Sequence, residues 1–468
     1  MAKRGLVEAD KSQLLFESIL KWYAFGITLL YLLLSMYRYF DSKSAAVMTE
    51  AEHYLVLFFV FLAIVYLIIT KAQYPRTLYR IKGFLKKMFC PEAIILAGIL
   101  VWYLLCCVSA NTRYTAEFFS INKNSLFDTF TIFFIIFPLS LYFGKSGDRK
   151  ALEILIHVLA AVSTAIMLYI LWHVFKPEVI ILPDGGQIGM SKSVRLYINC
   201  NPNTTGANAE VMLIICLYMV FAKKGTIRWT YLFASCVHFI ILTLSNSRTC
   251  ILATMIASAA IAFKTVYDLF PKRPAFQRIA FSAAAATAGA CLILGLRAFI
   301  FWLFEAITNF SELIGKDNFI RELNANSSGR TVIWKAALQS VFSSGENAVF
   351  GVTPQGVISE ISKFTNGKDQ MYTHNEFLEV AVSLGIPGFL AYSVWLVMIA
   401  RSCLKIVFKE GFGLFRGAYV IPAAILMLVV ANLLEATLMF YSFLPEGMFF
   451  LLAGFVTYSV KNRKSTQF

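Results

Sequence analysis

Apolar runs of about 18 residues or more recur along almost the whole chain, beginning near residues 19, 53, 91, 126, 151, 207, 229, 249, 278, 374, 417 and 440. A helix of that length matches a hydrocarbon core of about 30 Å, and a backbone in lipid must satisfy its own N–H and C=O groups. The predicted fold class is therefore an all-α polytopic membrane protein with about twelve transmembrane helices. The runs near 207 and 440 each contain a carboxylate, Glu210 and Glu446. Hydrophobic residues make up 58% of the 468 and charged residues only 15%, which excludes a soluble globular protein.

The net charge of +15 suggests nucleic acid until its distribution is read. If the N-terminus is inside, the inward segments collect Lys71, Arg76, Arg80, Lys82, Lys86 and Lys87, then Lys145, Arg149 and Lys150. Further groups are Lys223, Lys224 and Arg228, and finally Lys461, Arg463 and Lys464. Short inward loops with most of the base obey the positive-inside rule, so both termini are expected to be cytoplasmic, with membrane lipids and no nucleic acid as partners. Met1–Glu8 has no pattern of a cleaved signal, so the first span is expected to be retained. Nine cysteines without a C-x-x-C pair indicate neither a disulfide framework nor a zinc site.

The expected organisation is spans 1–9 in residues 1–303, one large outer loop in 304–373, and spans 10–12 with a cytoplasmic tail in 374–468. Within the outer loop, apolar residues at 333, 334, 337, 338, 341 and 342 have helical spacing, and Trp334 suits a helix at the membrane interface. Ser328-Gly329 is its expected start. Residues 176–206 form a second, smaller outer loop with a turn signal at Pro183-Asp184-Gly185-Gly186.

The chemistry-bearing residues lie on that outer side. Thr373 and Glu376 read as a capping box, which sets His374 at the first helical position, where the dipole opposes further positive charge. Gly385, Pro387 and Gly388 read as a kink in the same helix. Arg248 follows Ser245-Asn246-Ser247 at a hairpin between two spans and must enter a polar cavity or snorkel. Arg330 opens the interfacial helix, and Arg195 precedes the turn Asn201-Pro202-Asn203-Thr204-Thr205-Gly206. His157, His173 and His238 read as packing or interfacial residues. No G-x-x-x-x-G-K-[ST], G-x-S-x-G, H-E-x-x-H or D-x-D occurs.

Taken in order, R-x(5)-N-P-N-x-x-G at Arg195–Gly206, S-R at Ser247-Arg248, R-x-x-x-W at Arg330–Trp334, F-G-V-T-P, and H-N-x-F-L-x(6)-G-x-x-G at His374–Gly388 resemble the O-antigen ligase/polymerase superfamily of bacterial membrane glycosyltransferases. The resemblance spans roughly residues 195–390. It implies an enzyme of the inner membrane that takes a glycan from an undecaprenyl-diphosphate-linked donor at the extracytoplasmic face. The acceptor is a hydroxyl of a glycan, lipid or protein. The donor brings its own leaving group, so neither nucleotide nor metal is required and no cofactor is expected.

On this reading Arg248 and Arg330 stabilise the departing diphosphate, and His374 takes the acceptor proton. Arg195, Asn201, Asn203 and Asn375 are the expected substrate-binding residues. A repeat-unit polymerase of the same superfamily is the alternative within the class, and a transporter or flippase of lipid-linked glycans the alternative outside it. A transporter predicts charged residues deep in several helices, whereas the polar residues here gather toward one face.

Overall fold

In a computed structural model the described residues are 2–37, 42–73, 89–113, 118–139, 148–174, 180–181, 187–190, 196–198, 202–308, 330–365, 372–409, 419–440 and 443–464. Five helices come first: α1 (Ala2–Tyr37), α2 (Ser42–Gln73), α3 (Pro91–Arg113), α4 (Phe118–Thr131) and α5 (Asp148–Val174), with a π-helical turn Ile132–Ile136 prolonging α4. A small antiparallel sheet follows, β1 (Ile180–Ile181), β2 (Gln187–Met190) and β3 (Leu196–Ile198), in that spatial order. Then come α6 (Pro202–Ala222), α7 (Thr226–Ser245), α8 (Arg248–Leu269) and α9 (Ala275–Thr308). Three short helices, α10 (Arg330–Val341), α11 (Gly345–Phe350) and α12 (Val357–Ser362), precede α13 (Glu376–Lys409), α14 (Val420–Ala431) and α15 (Leu444–Lys464).

Of the twelve apolar runs read from the sequence, nine coincide with long apolar helices and those near 417 and 440 with shorter ones, while the run near 126 lies on α4 and its π-helical turn and continues outside the described residues. Among the described residues nine helices are long and apolar enough to cross a membrane, and Val420–Ala431 and Leu444–Tyr458 are shorter apolar helices. The chain is a multi-pass membrane protein, and its membrane body is helical throughout. The sheet is the one addition to the all-α reading. Its strands of two to four residues are too short to show a period in sequence.

The starts follow local rules. Pro91 and Pro202 occupy first helical positions, where a missing N–H costs nothing. The α7–α8 hairpin is tight because Asn246 adopts the left-handed conformation (φ 47°) that closes α7. The main core gathers Tyr31, Tyr103, Phe137, Trp395, Phe449 and Phe450, all essentially without exposure. A separate core of Ile333, Ala337, Val341, Val352, Val357 and Val382 sits where α10–α12 pack on the first turns of α13. These short helices therefore form a cap on one end of the bundle.

Candidate active site

The entry to α13 differs from the capping box expected from sequence. The helix begins at Glu376, and the cap is Asn375, whose Oδ1 accepts from Leu378 N at 3.0 Å. Glu376 instead turns its carboxylate to Leu438 N at 3.0 Å, and Glu379 is the residue that reaches back, accepting from Thr373 N at 2.8 Å. Asparagine is at least as good an N-cap as threonine, and Glu376 is drawn away by backbone donors of another loop. His374 therefore lies outside the helix, with φ 53°, and the dipole reasoning attached to a first helical position does not apply to it.

What holds His374 is a carboxylate that sequence reading missed. Glu435, in the loop between α14 and α15, accepts from His374 Nδ1 at 3.1 Å through Oε2 and from Arg330 Nη2 at 2.6 Å through Oε1. The Glu435 side chain is only 3% exposed, against 16% for Arg330 and 22% for His374, so the two partners reach solvent while the carboxylate they share does not. With Nδ1 donating to a carboxylate, the neutral ring keeps its free lone pair on Nε2. The Tyr372 ring packs on the imidazole at 4.4 Å between centroids, and Trp334 Nε1 donates to Thr373 O at 3.1 Å. The R-x-x-x-W motif thus delivers an arginine to Glu435 and a tryptophan to the backbone beside His374.

The Glu435 loop is fastened to α13 on both sides. Before it, Glu376 N donates to Asn432 O at 2.9 Å and Asn375 Nδ2 to Leu433 O at 2.9 Å. After it, Leu438 N donates to Glu376 Oε2 at 3.0 Å, while Thr437 N and Phe440 N donate to Asn432 Oδ1 (2.7 Å) and Glu446 Oε1 (2.8 Å) of the flanking α14 and α15 ends. Both ends of the Asn375 amide are therefore engaged within the protein.

A second group of motif residues meets at the α7–α8 hairpin. Gly206 is needed there: a Cβ would stand 2.7 Å from Ser247 Cβ and 2.8 Å from Ser245 Oγ. The N-P-N-x-x-G and S-R motifs are thereby brought into contact. Cys250 Sγ lies 3.9 Å from Asn203 O. Arg248 opens α8 at this hairpin, half-buried. Arg297 of α9 also arrives here, donating to Asn246 Oδ1 at 3.1 Å with its guanidinium 4.7 Å from the Phe301 ring centre. Sequence reading passed over Arg297, although an arginine within an apolar span is itself a functional flag. Arg195 and Asn201 lie outside the described residues, as do Pro183–Gly186, Ser328-Gly329 and Cys200.

The F-G-V-T-P and G-I-P-G pieces form one joint. Gly385 (φ 69°, ψ −174°) breaks α13, and Pro387 has no N–H for Ser383 O. The freed carbonyls are taken up from outside: Val352 N donates to Val382 O at 2.9 Å, Thr353 N to Ser383 O at 2.9 Å, and Trp102 Nε1 to Leu384 O at 2.8 Å. The kink read from sequence is real, and its hydrogen-bond deficit is met by the cap and by Trp102 of α3.

Among the described residues four non-glycine positions have positive φ: Asn246, Thr353, His374 and Phe440. They fall in the hairpin, the cap joint, the α13 entry and the Glu435 loop. Strain of this kind gathers at functional sites, and two of the four positions, His374 and Phe440, lie in the α13 entry and the Glu435 loop that are bonded to each other. His238, by contrast, is engaged within the bundle, Nε2 facing Ser163 Oγ at 2.8 Å and Nδ1 facing Ala234 O at 2.7 Å.

Residues 231–393 match the family model described as O-antigen ligase. This match supports the resemblance to the O-antigen ligase/polymerase superfamily. The matched stretch takes in Ser247-Arg248, Arg330, Trp334, the cap joint and His374, whereas Arg195–Gly206 and Glu435 lie outside it. A comparison with curated proteins finds no match.

Proposed function

We propose that this protein transfers a glycan from an undecaprenyl-diphosphate-linked donor to an acceptor hydroxyl at the extracytoplasmic face of the bacterial inner membrane, with both termini cytoplasmic. The observation that carries this reading is the Arg330–Glu435–His374 bridge, built from two motifs of the family and open to solvent at its basic ends. His374 Nε2 takes the proton from the acceptor hydroxyl while that oxygen attacks the anomeric carbon. The bond from that carbon to the phosphate oxygen breaks on the opposite face, so configuration inverts. Negative charge grows on the leaving lipid diphosphate, where Arg330 and Arg248 bind phosphate oxygens. Arg195, Asn201 and Asn203 are assigned to the donor, and Asn375 acts through the cap it provides. Neither nucleotide nor metal has a step in this scheme.

The test is incubation of the purified protein with a defined lipid-linked glycan and candidate acceptors. Joined product together with released lipid diphosphate is the expected result. A lipid acceptor giving product identifies a ligase, and a second lipid-linked unit giving product identifies a polymerase. Passage of the lipid-linked glycan across vesicles with no product would replace the transferase by a transporter. Within this assay Arg330→Lys and Arg248→Lys should each lower kcat/KM at least about 10-fold, because lysine keeps the charge and loses the planar fork. Unchanged kinetics would remove those side chains from the leaving-group site.

A further inference from the structure

Glu435 holds an arginine that the reaction needs for another anion. The carboxylate is buried, and its two oxygens are divided between Arg330 and His374. The two bonds differ in how they are supported. Glu435 and His374 are set by loops stitched together at Asn432, Leu433 and Leu438, so their separation is fixed by backbone. Arg330 comes from the cap, as the first residue of α10, and meets Glu435 at the end of a long side chain that remains partly exposed. Of the two partners, the guanidinium is the one able to turn to a ligand without moving the backbone.

We infer that Glu435 is a positioning residue that occupies Arg330 in the resting protein and yields it to the diphosphate of the incoming donor. This rests on His374 being the base and Arg330 a diphosphate ligand. Before the donor binds, Glu435 is shared, and the guanidinium offsets the charge that His374 faces. Once the diphosphate takes Arg330, the carboxylate is left to His374 alone. It then holds the proton on Nδ1 and supports the imidazolium that forms as Nε2 takes the acceptor proton. Proton abstraction is thereby strengthened only when a leaving group is in place. The cost is competition: the donor must displace an internal anion, and its apparent affinity falls accordingly.

Glu435→Gln separates these effects. The amide keeps the shape, removes the negative charge that competes for Arg330, and turns an N–H toward Nδ1, which moves the ring proton to the wrong nitrogen. Titration with a polyprenyl diphosphate in detergent micelles should show binding tightened about 5-fold or more, while kcat for transfer falls about 100-fold or more. In the double variant Glu435→Gln/Arg330→Gln the gain in binding should vanish. Binding of the single variant that is unchanged or weaker than the parent overturns the inference, since a merely structural carboxylate has no ligand to compete with. If the glutamine variant does not fold, Glu435→Met carries the same binding comparison, because its side chain is similar in size and has no charge to compete for Arg330. The two readings fail separately. Normal transfer by His374→Ala removes the base, whereas an inactive His374→Ala beside a Glu435→Gln that binds no tighter removes only the exchange.

Discussion

His374→Ala abolishes glycan transfer while the protein still inserts, folds and binds polyprenyl diphosphate. The expected loss in kcat is about 10²–10⁴-fold, the range a positioned general base supplies. Folding should survive because Glu435 keeps Arg330 as its partner at 2.6 Å, so no buried charge is stranded. Alanine inherits the backbone held at φ 53°, so the substitution neither relieves nor adds a new conformational demand large enough to unfold the site. The decisive measurement is single-turnover transfer beside donor titration on the same preparation. A folded variant that transfers at the parental rate would remove His374 from proton abstraction altogether.

Gly385→Ala is expected to cost heavily in stability. The backbone there (φ 69°, ψ −174°) lies in a region open essentially to glycine alone, and a Cβ would overlap the carbonyl of Val349. Strain and forced repacking together give a destabilisation of about 2–5 kcal/mol. Relief would require α11 to lift from α13, which breaks the Val352–Val382 and Thr353–Ser383 bonds. Thermal unfolding in detergent should show a clearly lowered midpoint, with activity lost in step. Gly98→Ala is the matched control, because a Cβ there meets no atom within 4 Å. Equal midpoints for the two variants would contradict the joint.

The membrane body was legible because lipid enforces a simple rule: a long apolar run must close its hydrogen bonds within a helix, and the broken α13 is the case where outside donors complete what the helix leaves open. The motif residues were legible as an ordered set, and the structure joins them pairwise, Gly206 to Ser247 and Gly351 to Ser383. The setting of His374 was not. Two capping solutions compete within Thr373–Glu379, and the outcome depends on where a distant loop places its donors for Glu376. Glu435 lies 61 residues from His374 in sequence, in a short segment with no periodicity and no motif, and nothing local announces it. Arg297 was different, since its position in an apolar span was a visible signal.

The backbone seam between the cap and the broken α13 has a consequence for engineering acceptor choice. Three carbonyls of one helix are completed by residues of two others, so the cap is no detachable lid. Exchanging residues 330–365 with those of a relative would carry in new Val352 and Thr353 equivalents while leaving the old acceptor groups behind. A working chimera must therefore transplant the 382–388 break together with the cap, and a matching tryptophan for Leu384 O, as one inherited module.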